Sequence, residues 1–334
     1  MKIGVFWRKF RNVEFQKKLT PDNVYDDAYG EAYQHYAAIK EAGYNSVLIE
    51  WKKDPRETYK ALVKEKVALI FNASSTKEIA FLEAFNIPYV GSGLDLVATN
   101  KRVRKNIISY YKLPTAKFVV ANSPDSIPKI DMKYPLFVKP ISGRGSAGID
   151  EENVIYSYEQ LPKVVEKITD IIGQPALIEE FIKGRELTVG IIGYDNPEVL
   201  PLLEIQYNSS LTNTYEHKMF DNEIIKCPME LPIDVEDKIK EVALKAYKVL
   251  GVKDYGRIDM ILSEDNIPYF LELNTYAGLT MSSQEGEGDV HHGYMGYMAE
   301  ALGYSRGEFI GKIVKSAIDR YNLQGIEMIP TNVS

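Results

Sequence analysis

The 334-residue chain has a single cysteine, Cys227, so no intrachain disulfide can form. A chain of this kind suits a reducing compartment. Cys227 lies in IIKCPMELP beside a proline and reads as a buried or incidental thiol rather than a nucleophile. No apolar run approaches the roughly 18 residues that a membrane helix needs. The opening MKIGVFWRKF has no small-residue cleavage site, so it reads as a first strand and not a signal peptide. The expected address is the cytoplasm, with no membrane partner. Positive charge is also scarce: 40 Lys and Arg against 47 Asp and Glu give a net charge of -7. That argues against a general nucleic-acid binder, which needs surplus cations, but leaves room for a local basic pocket. There is no GxGxxG after the first strand, no Walker A loop, no internal repeat and no low-complexity segment.

What is present is ordinary globular composition, 45% hydrophobic and 26% charged, in a chain long enough for two or three structural units. The first third alternates strand and helix. Strands are expected at Lys2 to Trp7, Ser46 to Trp51, Val67 to Phe71 and Ile87 to Val90. Helices are expected at Asp26 to Ala42, Pro55 to Glu65 and Ser75 to Phe85. This rhythm predicts a parallel sheet. Leu94 to Lys112 reads as helix, and short strands follow, including Pro135 to Lys139 and Ala176 to Phe181. Leu187 to Ile192 and Val199 to Ile205 read as hairpin partners. Pro232 to Leu250 is an amphipathic helix, Gly256 to Leu262 and Pro268 to Leu273 are strands around SEDN, and helices finish the chain from His292 to Tyr321. The fold class is α/β, becoming α+β in its later part.

Three segments carry chemistry. In FVKPISGRGSAGI, Phe137 to Ile149, a strand delivers Lys139 to a loop with three glycines and two serines. Such a loop lets backbone N–H groups turn toward a phosphate; alone, it reads equally as a surface turn. In GRIDMIL and YFLELN, Arg257 and Asp259 share one strand face and Glu272 and Asn274 share another. If the strands pair, four polar side chains converge, while Ile258, Met260, Leu271 and Leu273 face a core. Two carboxylates and an amide are the hard oxygen donors magnesium prefers, and Arg257 could steady a transferring phosphoryl group. The bland reading is an exposed face with surface ion pairs. In LIEEFIKGRELTVGI, Leu177 to Ile191, a strand breaks at Gly184 and restarts at Glu186. That is either a hinge framing a flat base or a hairpin with a charged tip.

In this order and spacing the three segments resemble the ATP-grasp superfamily, specifically its D-alanine–D-alanine ligase branch. The resemblance runs from about Leu69 to Tyr321 and includes FLEAFNIPYVGSGLDLVATNKRVRK. It implies an ATP- and magnesium-dependent ligase, with manganese as a substitute, that joins a carboxylate to an amine through an acyl phosphate. It implies three units: an N-terminal α/β domain over 1–98, a central ATP-binding subdomain over 99–186, and a C-terminal subdomain with the magnesium site over 187–334. The sheets of the last two would be mainly antiparallel. By position, Lys101 and Lys139 would contact phosphates under the loop containing Gly143, Gly145 and Ser146. Glu179, Phe181 and Ile182 would frame adenine and Glu186 would hold ribose. Asp259, Glu272 and Asn274 would bind magnesium, and Arg257 would steady the acyl-phosphate and tetrahedral species. Lys218, in TYEHKMF, matches a lysine on a closing loop; Gly278 and Ser283 match positions near the reacting carboxylates. The resemblance also implies amino-acid or short-peptide substrates and a homodimer.

The chain departs from the family at its substrate end. The Glu-containing signature after the first strand is missing, and Asp26 and Asp27 come nearest in position. The usual NTSPG turn is Asn274-Thr275-Tyr276-Ala277-Gly278. Glu285 opens EGEGDVHH, whose three carboxylates could receive an ammonium or guanidinium group beside the acceptor. The expectation is a ligase with altered substrate choice. The alternatives are true D-alanine–D-alanine ligation, a small-molecule kinase and a non-catalytic nucleotide binder.

Overall fold

The computed structural model describes residues 1–8, 28–142, 149–207, 223–282 and 291–324. Strands β1 (Lys2–Trp7), β2 (Asn45–Glu50) and β3 (Leu69–Phe71) pair in parallel in the order β2-β1-β3. Helices α1 (Ala28–Glu41) and α2 (Pro55–Glu65) make the crossovers. Asp54 caps α2 by accepting from the Arg56 N–H, with Pro55 at the first helical position where its missing donor costs nothing. Ser75 and Glu78 form a reciprocal capping box that starts α3 (Thr76–Ala84). The expected strand at Ile87 to Val90 reduces to one bridge, Ile70 to Tyr89. The cause is Pro88, which offers its carbonyl to Ile70 but has no N–H to extend the ladder. Strand order reverses at β1, so the carboxyl ends of β1 and β3 flank the crevice where open α/β sheets bind ligands.

The helix expected over Leu94 to Lys112 is two: α4 (Leu94–Val97) and α5 (Lys101–Tyr110). Asn100 separates them because its side chain caps α5, accepting from Val103 N–H. A four-stranded antiparallel sheet follows, built from β4 (Phe118–Ala121), β5 (Leu136–Pro140), β6 (Val154–Ile155) and β7 (Ala176–Glu180) in the order β4-β7-β5-β6. Helix α6 (Leu161–Glu166) packs its Leu161, Val164 and Val165 against that sheet and runs into a π-helical stretch at Lys167–Ile172.

The largest sheet has the order β11-β10-β8-β12-β13, with β9 added to β8. Its strands are β8 (Gly184–Ile192), β9 (Glu198–Val199), β10 (Leu203–Tyr207), β11 (Glu223–Lys226), β12 (Tyr255–Ser263) and β13 (Pro268–Asn274). The period of two in β8 divides its neighbours. Leu187, Val189 and Ile191 pack with α7 (Ile233–Val249), whereas Ile192 joins the core that includes Met295 and Met298. Those methionines belong to α8 (Tyr294–Ala301), and α9 (Arg306–Arg320) completes that side. Each fully buried Val, Leu or Ile contributes about 1.5–3 kcal/mol, which fixes the register of β8 on both faces. The expected β8–β10 partnership forms, interrupted where Pro201 separates β9 from β10. Segment 177–191 is not a hairpin, because β7 and β8 belong to different sheets.

One core assignment changes. Asp259 pairs with Glu272 but Met260 pairs with Phe270, so Leu271 is the extra residue of a β-bulge. The bulge turns Phe270, 1% exposed, into the core beside Leu273, and leaves Leu271 only half-buried. A bulge adds one residue to a period of two, so the face changes from Leu271 to Phe270.

A buried ionic node ties the first sheet to the last helix. Asp254, fully buried, accepts from Gly91 N–H at 2.8 Å, Ser316 Oγ at 3.0 Å and Arg320 Nη2 at 2.6 Å. Arg320 also donates to the Tyr89 carbonyl at 2.9 Å. Among the described residues no helix is long and apolar enough to cross a membrane.

Candidate active site

The β12–β13 hairpin closes through Ser263 to Ile267, where Asn266 takes φ 54° as a short polar side chain tolerates. Pairing places Arg257 opposite Asn274 and Asp259 opposite Glu272, so all four polar side chains share one face. Asp259 is the hub. Its Oδ1 accepts from Arg257 Nε at 2.8 Å and Thr188 Oγ1 at 2.7 Å; its Oδ2 accepts from Arg257 Nη2 at 3.0 Å and Asn274 Nδ2 at 2.8 Å. The Asn274 amide nitrogen is thereby engaged, which leaves its carbonyl oxygen as the acceptor it can offer elsewhere. Burial opposes the charge on Arg257, but the adjacent Asp259 carboxylate outweighs it and holds the guanidinium above its ordinary pKa.

A second cluster comes from the central sheet and α5. Lys139, at the end of β5, lies 2.5 Å from Glu179 Oε1, and Lys105 lies 2.9 Å from Glu179 Oε2. Burial alone would raise the Glu179 pKa; the two ammonium groups reverse that and bring it down to about 2. Lys101 opens α5, and its backbone N–H donates to the Ile141 carbonyl just beyond β5. Its Nζ lies 3.6 Å from Glu272 Oε2, joining the lysine cluster to the carboxylate face. Burial lowers the Lys101 pKa and Glu272 partly restores it.

Phe181 and Ile182 are half-buried in the crossing from β7 to β8, with the Phe181 N–H donating to the Pro135 carbonyl at 3.2 Å. Glu186, also half-buried, stands two residues before Thr188 and therefore on the same face of β8. Gly278 follows β13 and accepts from Met295 N–H at 3.2 Å. A Cβ on Gly293 would lie 2.4 Å from the Gly278 carbonyl, so the two backbones touch there only because both residues are glycine. The fold thus brings together Lys101, Lys139, Glu179, Arg257, Asp259, Glu272 and Asn274. Gly143, Gly145, Ser146, Lys218, Ser283, Glu285, Asp26 and Asp27 lie outside the described residues.

Several participants escaped sequence reasoning. Lys105 had a usable signal, since it follows Lys101 by four and shares its helix face. Thr188 and Tyr294 had none. Tyr294 presents its ring 4.7 Å from the Arg257 guanidinium, and its hydroxyl donates to Glu223, 71 residues away in sequence. At the N-terminal crevice, Glu31 on α1 and Asn72 after β3 both meet the Tyr276 hydroxyl, Glu31 at 3.0 Å. Arg8 and the buried Glu78 pair beside them at 2.6 Å. His292 stacks on Tyr297 at 3.5 Å, with its Nε2 3.3 Å from a Glu300 carboxylate oxygen.

The family model described as D-ala D-ala ligase C-terminus matches residues 107–288. The chain is 31% identical over 301 residues to D-alanine–D-alanine ligase B of Clostridium perfringens, covering 88% of this chain and 93% of that protein. It is 32% identical over 276 residues to a D-alanine–D-alanine ligase of Desulforamulus reducens, covering 76% and 84%. The crystal structure of the Bacillus anthracis D-alanine–D-alanine ligase complexed with ATP superposes with a TM-score of 0.73 at 22% identity, over 97% of this chain and 100% of that one. The latter likeness is one of fold.

Proposed function

This chain belongs to the D-alanine–D-alanine ligase family and is an ATP-dependent carbon–nitrogen ligase, and on that premise we propose that it joins two amino acids, or an amino acid and a short peptide. The observation that carries this reading is the shared face of β12 and β13, where two carboxylates and an amide stand 3.6 Å from a lysine cluster at their nearest pair.

In this reading Lys101 and Lys139 hold the ATP phosphates beneath Gly143, Gly145 and Ser146. Phe181 and Ile182 frame the adenine with Glu179, and Glu186 holds the ribose. The donor set of Asp259, Glu272 and Asn274 fits magnesium, because all three offer hard oxygens and the Asn274 nitrogen is already turned to Asp259. Magnesium, or manganese in its place, would supply charge neutralisation along the phosphates. The γ-phosphoryl group passes to a substrate carboxylate, and the lysines stabilise the charge as it moves. An amine then attacks the acyl phosphate, and phosphate leaves. Arg257, gripped edge-on by Asp259 and covered by Tyr294, faces the oxyanion formed in that attack, next to the Gly278 backbone. Lys218 on a closing loop would help exclude water. Ser283 and Glu285 would lie by the acceptor and Asp26 and Asp27 by the donor. The three-unit division, a homodimer and a cytoplasmic address belong to the same proposal.

A second reading is ligation of D-alanine to D-alanine, which the names of the curated relatives favour. Against it stands the Tyr276 hydroxyl, tied to Glu31 and Asn72 in the turn that follows the metal strand. A phosphate-release screen of amino acids and short peptides, singly and in pairs, decides between them. We expect release that needs two different substrates, stops with EDTA and returns with magnesium. Full turnover on D-alanine alone would remove the altered-specificity reading. A phosphate ester instead of an amide in the product mass spectrum would remove ligation altogether.

A further inference from the structure

Lys105 makes none of the contacts assigned to ATP, yet its side chain is 0% exposed, against 13% for Lys101 and 7% for Lys139. A buried ammonium is costly unless it is paired and hydrogen-bonded. Lys105 is both: it is ion-paired with Glu179, donates to Thr115 Oγ1 at 2.8 Å and lies 5.5 Å from the Phe118 ring. Thr115 in turn donates to the Phe270 carbonyl at 3.0 Å, which anchors this ammonium between the central sheet and β13. One carboxylate is therefore shared between two lysines, in the order Lys105, Glu179, Lys139.

The charge count decides what this sharing does. The three groups together carry one net positive charge. Glu179 paired with Lys139 alone would make a neutral couple, and a phosphate arriving at Lys139 would meet a cation already matched by a carboxylate 2.5 Å away. With Lys105 2.9 Å from the second oxygen, the carboxylate charge is balanced from behind and the surplus charge remains on the side where Lys139 ends β5. Lys101 lies one helical turn before Lys105 on α5, so the same helix supplies one lysine to the carboxylate face and one to the buried carboxylate.

From this geometry we infer that Lys105 is a positioning residue for ATP: by sharing the Glu179 carboxylate it keeps Lys139 aimed and unneutralised for the nucleotide phosphates. The inference rests on the reading of Lys139 as a phosphate contact. The test compares Lys105→Met, Glu179→Gln, the double variant and Lys139→Met, reading KM for ATP with KM for the amino-acid substrate as internal control. Lys105→Met should raise KM for ATP at least tenfold and leave the amino-acid KM within threefold. Adding Glu179→Gln should lower KM for ATP at least threefold relative to Lys105→Met, because no unmatched carboxylate then remains beside Lys139, while the lost adenine contact keeps it above the wild type. A purely structural lysine would lower stability without raising KM for ATP selectively over the amino-acid KM. A folded Lys105→Met enzyme with wild-type KM for ATP, or a double variant no better than the single one, overturns the inference. If Lys105→Met does not fold, the double variant is compared with Glu179→Gln alone: KM values for ATP within threefold support the sharing, and a tenfold gap overturns it. An unchanged KM for ATP in Lys139→Met would instead sink the phosphate reading on which the inference stands.

Discussion

The Arg257 guanidinium lies 4.7 Å from the centre of the Tyr294 ring while Asp259 grips its edge through two hydrogen bonds. Two of its directions are thus fixed, one by a carboxylate and one by a π face. If Arg257 acts on the oxyanion, the ring matters more than the hydroxyl. Tyr294→Leu should lower kcat by about 10- to 100-fold, less than the roughly 100- to 1000-fold that outright loss of an oxyanion donor costs, and leave KM for ATP nearly unchanged. Tyr294→Phe keeps the ring and should lose less than Leu. Steady-state kinetics of the two variants side by side make the check.

Removing the hub should have a larger effect. Asp259→Ala takes away a metal donor and leaves Arg257 buried without its carboxylate. Ligase activity should fall by more than about 100-fold, and stability by about 3–5 kcal/mol, the usual result of breaking a buried pair. Phosphate release and urea unfolding read the two losses separately, and normal turnover in this variant would refute the metal assignment.

Asp254 and Arg320 hold the first sheet, β12 and α9 to one another through a single carboxylate. Arg320→Ala would strand that carboxylate with no exposure to water. We expect a loss of about 3–5 kcal/mol, seen as a lower urea midpoint, with nucleotide affinity retained in the folded fraction.

His35 on α1 predicts an acid-sensitive fold. It is 2% exposed, stands edge-on to Phe71 at 5.1 Å, and its ring nitrogens have no hydrogen-bond partner among the described residues. Burial brings its pKa down to about 3 from the ordinary 6.5. The folded state keeps the ring neutral, so below pH 6.5 the unfolded chain gains a proton that the fold refuses. This contribution to stability is intact above pH 6.5 and falls by about 1.4 kcal/mol per unit as pH drops toward 3. Chemical unfolding at pH 7 and pH 5 should differ by about 2 kcal/mol from this group, and His35→Leu should flatten that part of the profile.

Gly296 offers a purely steric test. A Cβ there would lie 2.0 Å from the Thr280 carbonyl oxygen, and a backbone atom cannot swing away. Gly296→Ala should destabilise by about 1–3 kcal/mol, the typical cost of overpacking, and displace α8 with its Tyr294. A thermal midpoint equal to that of the wild type would contradict this packing.

Much of this was legible along the chain because it depends on period and spacing. Arg257 and Asp259, then Glu272 and Asn274, share faces because strand side chains alternate, and SEDN marks the turn that lets the strands pair. Leu271 shows the limit of that reasoning. A bulge shifts the period by one without announcing itself in sequence, and Phe270 took the core position instead. Pro88 did carry a local signal, the absent N–H that cut the fourth parallel strand to one bridge. Lys105 was legible as a residue four after Lys101, but its burial was not.

By itself, the sequence determined the α/β rhythm of the first third, the polar face of the last hairpin and the ordered motifs of an ATP-dependent ligase. Each depends on residues within a few positions of one another. Only the tertiary structure decided that Tyr294 covers Arg257, that Tyr276 meets Glu31, and that one glutamate is shared by two buried lysines. Those contacts join segments far apart in the chain, and which side chains meet is set by the packing of whole sheets and helices, a property that no local pattern encodes.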